Sequence, residues 1–81
     1  MTKEKAFSVL AEMLHELAPE VDLDETDKDA TMSEELDLDS FSFLNLVEMI
    51  HARLGLDIPE ADYAAMASVN ACIDYLAEHA P

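Results

Sequence analysis

Apolar residues that recur at three- and four-residue spacing limit this chain to helical folds. In residues 3 to 18 this spacing places the apolar side chains on one face of a helix, with charged residues between them. Thr2 is a candidate N-cap, and Pro19 ends the segment because proline cannot extend a helical hydrogen-bond ladder. The apolar positions of this predicted helix are Ala6, Phe7, Val9, Leu10, Met13, Leu14 and Leu17.

Two later segments show the same spacing. Residues 40 to about 54 predict a second helix, with Asp39 as its cap and Gly55 just beyond its end. Residues 69 to about 78 predict a last helix, which Ser68 caps. The apolar stripe of the second helix consists of Phe43, Leu46, Val47, Ile50 and Leu54, and the core positions of the last helix are Val69, Cys72, Ile73 and Leu76.

The remaining segments connect these helices. Residues 56 to 59 form a short extended link, and residues 60 to 66 suit one or two helical turns. No segment alternates apolar and polar residues for long enough to build a sheet. We therefore predict an all-α fold: a small antiparallel helical bundle of three main helices plus a short helix, with a long acidic loop between the first two main helices. With 81 residues, we expect a single domain, residues 1–81.

The acidic loop covers residues 20 to 39, of which half are Asp or Glu and only Lys28 is basic. So many like charges cannot be packed together cheaply, and we expect a solvated connection. Its apolar residues, which we predict to anchor it to the core, are Val21, Leu23, Met32, Leu36 and Leu38.

The charge of the whole chain restricts its partners. The sequence has 19 Asp and Glu against 4 Lys and Arg, and its formal net charge is −15. Nucleic acid and anionic membrane surfaces are therefore poor partners, whereas proteins with basic patches are attracted. No apolar stretch approaches the roughly 20 residues that span a membrane. We expect a cytoplasmic monomer.

Neither the single cysteine nor the acidic loop has the pattern of a chemical site. The single cysteine, Cys72, falls on the apolar face of the last helix and is predicted to be a core residue. The acidic loop suggests a calcium site, but the sixth position from Asp22 is Asp27 rather than glycine, and the twelfth is Ser33 rather than glutamate. We therefore predict no metal site.

Ser40 has the residue type and the position of a modification site. It opens the second helix, where free backbone N–H groups and the helix dipole favour an attached anion, and Asp39 already fills the capping role. A hydrolytic nucleophile would need a base nearby, and His51 lies eleven residues along the same helix, roughly 16 Å away. Ser40 is therefore an attachment point or, in the simplest alternative, only a helix-opening serine.

The segment Leu38-Asp39-Ser40-Phe41 resembles the Asp-Ser-Leu signature of acyl carrier proteins. Nineteen residues lead without a gap from Ser40 to the Ile58-Pro59 pair, and an acidic short helix follows. The segment from Ser68 to Leu76 looks like the last helix of that family, so the resemblance covers nearly the whole chain.

The resemblance implies that the chain is a carrier and not an enzyme. A phosphopantetheinyl transferase would attach 4′-phosphopantetheine to Ser40, and the residue in the place of Asp39 helps the transferase and its metal to engage. The thiol of the arm would carry acyl groups as thioesters. An apolar cavity between the second and third helices would shelter the acyl chain; it would involve Leu46, Val47, Ile50 and Met66, unless these are core residues alone.

The second helix departs from the family pattern of general fatty acid synthesis. Phe41 replaces the usual leucine, Asn45 stands where that pattern has glutamate, and Glu48 is the only acid of residues 40 to 54. We therefore expect a specialised carrier in a lipid or polyketide-type pathway, whose partners are acyl-loading and acyl-transfer enzymes with basic patches. The predicted partner-binding residues are Glu34, Glu35, Asp37, Phe41, Leu44, Glu48 and Asp62. An aminoacyl or peptidyl carrier and an unmodified acidic adaptor remain alternatives.

Overall fold

The computed structural model describes all 81 residues and confirms the all-α fold class. No β-strand is present; the only bridge is an isolated antiparallel pair, Thr31 with Ser68. None of the helices has the length and apolar character that crossing a membrane would require. The elements in chain order are α1 (Lys3–Leu17), α2 (Met32–Glu35), α3 (Ser40–Leu54), a 3₁₀ helix (Glu60–Met66) and α4 (Val69–His79).

Side-chain caps set the bounds of the long helices close to the predicted ones. The Thr2 hydroxyl accepts a hydrogen bond from the Lys5 N–H at 3.1 Å, and the Ser68 hydroxyl accepts one from the Ala71 N–H at 3.0 Å. Gly55 ends α3 with φ +67°, the left-handed conformation that glycine adopts without steric cost. The predicted ends differ by one residue, since α1 stops at Leu17 and α4 continues to His79.

A single cluster of buried apolar residues joins the helices. Helix α1 packs against α4 and α3, and α4 also packs against the 3₁₀ helix. Leu10 of α1, Leu46 of α3 and Leu76 of α4 are fully buried, and burying one such side chain stabilises the fold by about 1.5–3 kcal/mol. Cys72 is also fully buried, which raises the pKa of its thiol to about 12 and confirms it as a core residue.

The acidic connection is more ordered than a solvated loop. It contains the short helix α2, and hydrogen bonds join it to Ala67, just before α4, and to Asn70 in the first turn of α4. The Met32 N–H donates to the Ala67 carbonyl at 2.7 Å. The Asn70 N–H donates to the Lys28 carbonyl at 3.0 Å, and the Asn70 side-chain amide donates to the Asp29 carboxylate at 2.8 Å.

The predicted anchors divide into two groups along this connection. Met32, Leu36 and Leu38 are buried in the core, as expected. Val21 and Leu23 are only half-buried and pack against its edge. The connection is therefore fixed most firmly in its second half, which leads directly into α3.

Tyr75 links α4 to the 3₁₀ helix. Its hydroxyl donates a 2.7 Å hydrogen bond to the Asp62 carboxylate, and its ring packs against His79. The hydrogen bond to Asp62, together with burial and the negative charges of Asp62 and Glu78, raises the pKa of Tyr75 to about 12.

Stability should therefore fall between pH 10 and 12. Over this range an unfolded tyrosine has lost its proton while Tyr75 in the folded protein retains it, so the native state binds more protons and the free energy of unfolding decreases as the pH rises. The stabilisation from this hydrogen bond is fully present below pH 10. Urea unfolding at a series of alkaline pH values measures this decrease.

Tyr75→Phe provides the control. At neutral pH it should lower the free energy of unfolding by about 1 kcal/mol, the value of one hydrogen bond. Its stability should also fall less steeply above pH 10. Parallel curves for the two proteins would show that the hydrogen bond of Tyr75 to Asp62 does not contribute.

Candidate functional site

The first turn of α3 is organised by Asp39, its N-cap. One Asp39 carboxylate oxygen accepts a hydrogen bond from the Ser42 N–H at 2.8 Å. This bond, with a smaller contribution from the Ser42 hydroxyl, holds the pKa of Asp39 below its usual value. The carboxylate is exposed and remains ionised at neutral pH, which suits a residue beside the positive end of a helix.

The approach to this cap is a sharp turn between two buried leucines. Leu36 and Leu38 are both about 5% exposed, whereas Asp37 between them is exposed and has φ +54°. Aspartate tolerates this left-handed conformation better than most residues. The Leu38 N–H donates to the Met32 carbonyl at 3.3 Å, which closes the turn. The position of Asp39 is thus set by the core on its N-terminal side.

Ser40 is the first residue of α3, and its side chain is exposed. Its hydroxyl makes no hydrogen bond within the protein. The capping bond from the Ser42 N–H is accepted by Asp39, so the Ser40 hydroxyl is not needed as a cap. His51 lies at the other end of α3 and contacts Asp57 at 2.8 Å, so it is not a base for Ser40. A free, exposed hydroxyl at a helix N-terminus fits a covalently attached phosphate group.

Ser40 also lines a cavity of about 370 Å³. The second half of the acidic connection, the start of α3 and the end of the 3₁₀ helix form its walls. Two of its lining residues, Phe43 and Tyr63, pack edge to face, with ring centroids 5.4 Å apart and an interplanar angle of 70°. The lining residues are Thr31, Met32, Ser33, Leu38, Asp39, Ser40, Phe43, Tyr63, Ala64 and Ala67.

The four residues predicted to form the acyl pocket lie elsewhere. Leu46, Ile50 and Met66 are fully buried in the core, and Val47 is half-buried against it. None of the four lines the cavity beside Ser40, so their contact with an acyl chain stays a prediction. Sequence reasoning missed Tyr63, Ala64 and Ala67 as cavity residues; the signal for Tyr63 was its position three residues before the core residue Met66.

Most predicted partner-binding residues lie on the surface around Ser40. Phe41 and Leu44 are 72% and 46% exposed, an unusual fraction for large apolar side chains. Glu34, Glu35, Asp37 and Glu48 are exposed as well. Asp62 is half-buried and is held by Tyr75, and Glu35 accepts a hydrogen bond from the Asp27 N–H. The structure thus shows which of these residues a partner can reach, and their role in binding stays a prediction.

The basic residues of α3 are engaged within the protein. Arg53 contacts the carboxylates of Glu12 and Glu16 on α1, and His51 contacts Asp57. Both lie at the end of α3 far from Ser40. The surface near Ser40 is therefore acidic and apolar, although α3 itself carries little negative charge.

The residues that were rejected as a calcium site use their carboxylates for local turns. Asp22 accepts a hydrogen bond from the Asp24 N–H, and Asp27 accepts one from the Asp29 N–H, each at 3.0 Å. No group of three or more His, Cys, Asp or Glu side chains is arranged to hold a metal ion.

Comparison with known proteins identifies the family. The family described as the phosphopantetheine attachment site matches residues 8–76. An acyl carrier protein of Lactobacillus johnsonii is 32% identical over 79 residues, which are 98% of this chain and 98% of the relative. Acyl carrier proteins of Acidothermus cellulolyticus and Rubrobacter xylanophilus are 26% and 29% identical over 95% and 73% of this chain, and over 90% and 73% of their own lengths.

These matches confirm that the chain is a carrier and not an enzyme, and that its prosthetic group is a covalently bound phosphopantetheine. The match to the phosphopantetheine attachment site covers α3 and the 3₁₀ helix, the elements that surround the cavity. The chain belongs to the acyl carrier protein family.

Proposed function

We propose that this protein carries acyl groups as thioesters on a 4′-phosphopantetheine arm attached to Ser40, in a specialised lipid or polyketide-type pathway. The observation that supports Ser40 most directly is its free, exposed hydroxyl at the start of α3, beside an apolar cavity. When bound, the arm supplies the thiol that forms the thioester.

The start of α3 suits the modification step. The Ser40 oxygen forms the new phosphoester bond, the nucleotide part of coenzyme A leaves, and the hydroxyl proton passes to the transferase. The negative charge of the phosphate then lies at the positive end of the α3 dipole, where it is favoured by about 0.3–1 kcal/mol. Asp39 keeps this turn in place and presents an ionised carboxylate next to Ser40, which suits contact with the transferase and its divalent metal ion.

The surroundings of Ser40 suit partners with basic patches. Glu34, Glu35 and Asp37 precede it with exposed carboxylates, and Phe41 and Leu44 follow it with exposed apolar side chains. A basic enzyme surface with an apolar centre complements this arrangement. Glu48, on the exposed side of α3, and Asp62, on the 3₁₀ helix, extend the acidic surface.

The specialised pathway is supported by the charge of α3. Glu48 is its only acid, and Asn45 replaces a glutamate of the pattern in general fatty acid synthesis. Enzymes that recognise a strongly acidic helix would find less charge here. The cytoplasmic location and the monomeric state stay predictions.

Incubation with coenzyme A, Mg²⁺ and a broad-specificity phosphopantetheinyl transferase should add the mass of one phosphopantetheine to this protein. Ser40→Ala should add none, because the attachment oxygen is absent. Ser42→Ala is the matched control, since it removes a neighbouring hydroxyl but keeps the backbone N–H that donates to the Asp39 carboxylate. Intact-mass spectrometry measures all three proteins.

Modification of Ser40→Ala, or its loss in Ser42→Ala, would contradict the assignment to Ser40. Failure of the wild-type protein to react, under conditions that modify a known carrier, would favour an unmodified acidic adaptor.

Substitution of Asp39 should separate its capping role from its charge. Asp39→Asn keeps an oxygen that accepts the Ser42 hydrogen bond, and asparagine is as good an N-cap, so its Tm should remain close to that of the wild type. Its rate of modification should fall by on the order of tenfold, because the charge that engages the transferase and its metal is lost. Asp39→Ala should lower both the Tm and the rate.

Thermal melts and initial rates of modification check these outcomes. A wild-type rate for Asp39→Asn would show that the Asp39 charge plays no part, and an unchanged Tm for Asp39→Ala would show that the cap is unimportant.

The specialised pathway has a direct comparison. Purified enzymes of general fatty acid synthesis should elongate acyl groups on this carrier at least tenfold more slowly than on their own carrier, since each 1.4 kcal/mol of lost contact reduces binding about tenfold. Equal elongation rates would contradict the specialised role.

A further inference from the structure

A pair of aromatic rings lines the cavity beside Ser40. Phe43 comes from α3 and Tyr63 from the 3₁₀ helix, and the two rings meet edge to face with their centroids 5.4 Å apart. Both line the cavity and both are half-buried. The rings therefore bridge the two elements between which an apolar chain would have to pass.

The register of the two helices places the pair between Ser40 and the deeper core. On α3, Phe43 lies one turn beyond Ser40, and Leu46 lies one turn beyond Phe43, at a rise of 1.5 Å per residue. On the 3₁₀ helix, Tyr63 and Met66 are one turn apart and lie on the same face. Leu46 and Met66 are fully buried and do not line the cavity.

We infer that the Phe43–Tyr63 pair limits the length of the acyl chain that this carrier shelters, so that it protects short acyl groups and leaves the remainder of a long chain in solvent. This inference rests on the proposed attachment of the arm to Ser40. It agrees with the lining of the cavity, which contains neither Leu46 nor Met66. Both are apolar, and each lies one turn beyond a residue of the pair on the same helix.

The size of the cavity agrees with a short cargo. A dry cavity of 150 Å³ holds one benzene ring. Ser40 lines the cavity of about 370 Å³, so the end of an arm attached there also occupies part of it. What remains suits a group such as hexanoyl, in contact with the apolar side chains of Met32, Leu38 and Ala64.

The interface that the pair spans can be widened by removing a ring. The Phe43–Tyr63 ring pair is a side-chain contact that joins α3 to the 3₁₀ helix. Removing the Phe43 ring would leave a gap that continues the cavity toward Leu46 and Met66. The four residues first predicted as the acyl pocket would then border the deeper part of the passage.

The test compares hexanoyl and palmitoyl groups on the same arm. The protein is loaded from hexanoyl- or palmitoyl-coenzyme A by a broad-specificity transferase, loading is verified by intact mass, and the Tm of each form is compared with that of the unacylated holo-protein. For the wild type we expect the hexanoyl group to raise the Tm by roughly 4 °C, since it buries apolar surface. The palmitoyl group should raise it by no more.

Variants of the pair should remove this limit. In Phe43→Ala the palmitoyl group should raise the Tm several degrees more than the hexanoyl group does, each relative to the holo form of the variant. Tyr63→Leu and Phe43→Leu provide milder openings if the alanine variant does not fold. Phe7→Ala is the matched control, because Phe7 is a half-buried phenylalanine of α1 that packs on the core and does not line the cavity.

The outcomes test the length limit separately from the attachment of the arm to Ser40. A wild-type protein that palmitoyl stabilises well beyond hexanoyl would overturn the length limit without any variant. Variants of the pair with the wild-type pattern, or a Phe7→Ala protein that loses the limit, would overturn it too. A wild-type protein that gains no acyl mass on Ser40 would instead refute the proposed function on which the inference rests.

Discussion

The hydrogen bond between the Asp39 carboxylate and the Ser42 N–H fixes where α3 begins, and the arrangement around Ser40 depends on it. Asp39 caps the first turn, the exposed Ser40 hydroxyl makes no hydrogen bond within the protein, and His51 lies at the other end of α3. The buried residues Leu36 and Leu38 hold the preceding turn against the core. A rigid core thus presents an exposed hydroxyl, which is what a carrier needs from an attachment point.

This strongly acidic chain has ion pairs between its helices. The net charge is −15, and two of the four Lys and Arg residues join helices: Arg53 links α3 to α1, and Lys3 contacts Asp74 of α4 at 3.1 Å. Exposed ion pairs of this kind contribute little to stability, up to about 1 kcal/mol each. The basic residues of α3, His51 and Arg53, lie in its last turn, far from Ser40, so the surface near Ser40 is acidic and apolar.

The sequence predicted the main helices well because local signals determine them. The spacing of apolar residues gave the faces of α1, α3 and α4, and Thr2, Asp39, Ser68 and Gly55 gave their ends. The acidic connection was predicted only as a loop, because the hydrogen bonds of Met32 with Ala67 and of Asn70 with Lys28 join segments far apart in sequence. Nothing local in that acidic segment indicates that its backbone will pair with Ala67 and with the first turn of α4.

In the candidate site too, local signals predict individual residues, whereas contacts between segments distant in sequence cannot be predicted from them. Asp39 and Ser40 could be predicted from the signature and from helix-capping chemistry. The cavity could not, since its walls come from three separate segments, and the apolar stripe of α3 indicates only which residues face inward. Leu46 and Ile50 do face inward, but neighbouring side chains fill the space around them. Phe43 and Tyr63 line the cavity, whereas Leu46 and Met66, one turn further along the same helices, are fully buried and do not.

We propose that the capped start of α3 makes Ser40, and no other hydroxyl of the chain, the point of attachment. Fragment mapping of the modified wild-type protein by tandem mass spectrometry tests this attachment most directly, because Ser42 on the same turn serves as an internal comparison. We expect every modified fragment to carry phosphopantetheine on Ser40. Phosphopantetheine on Ser42, or on any serine outside α3, would contradict it.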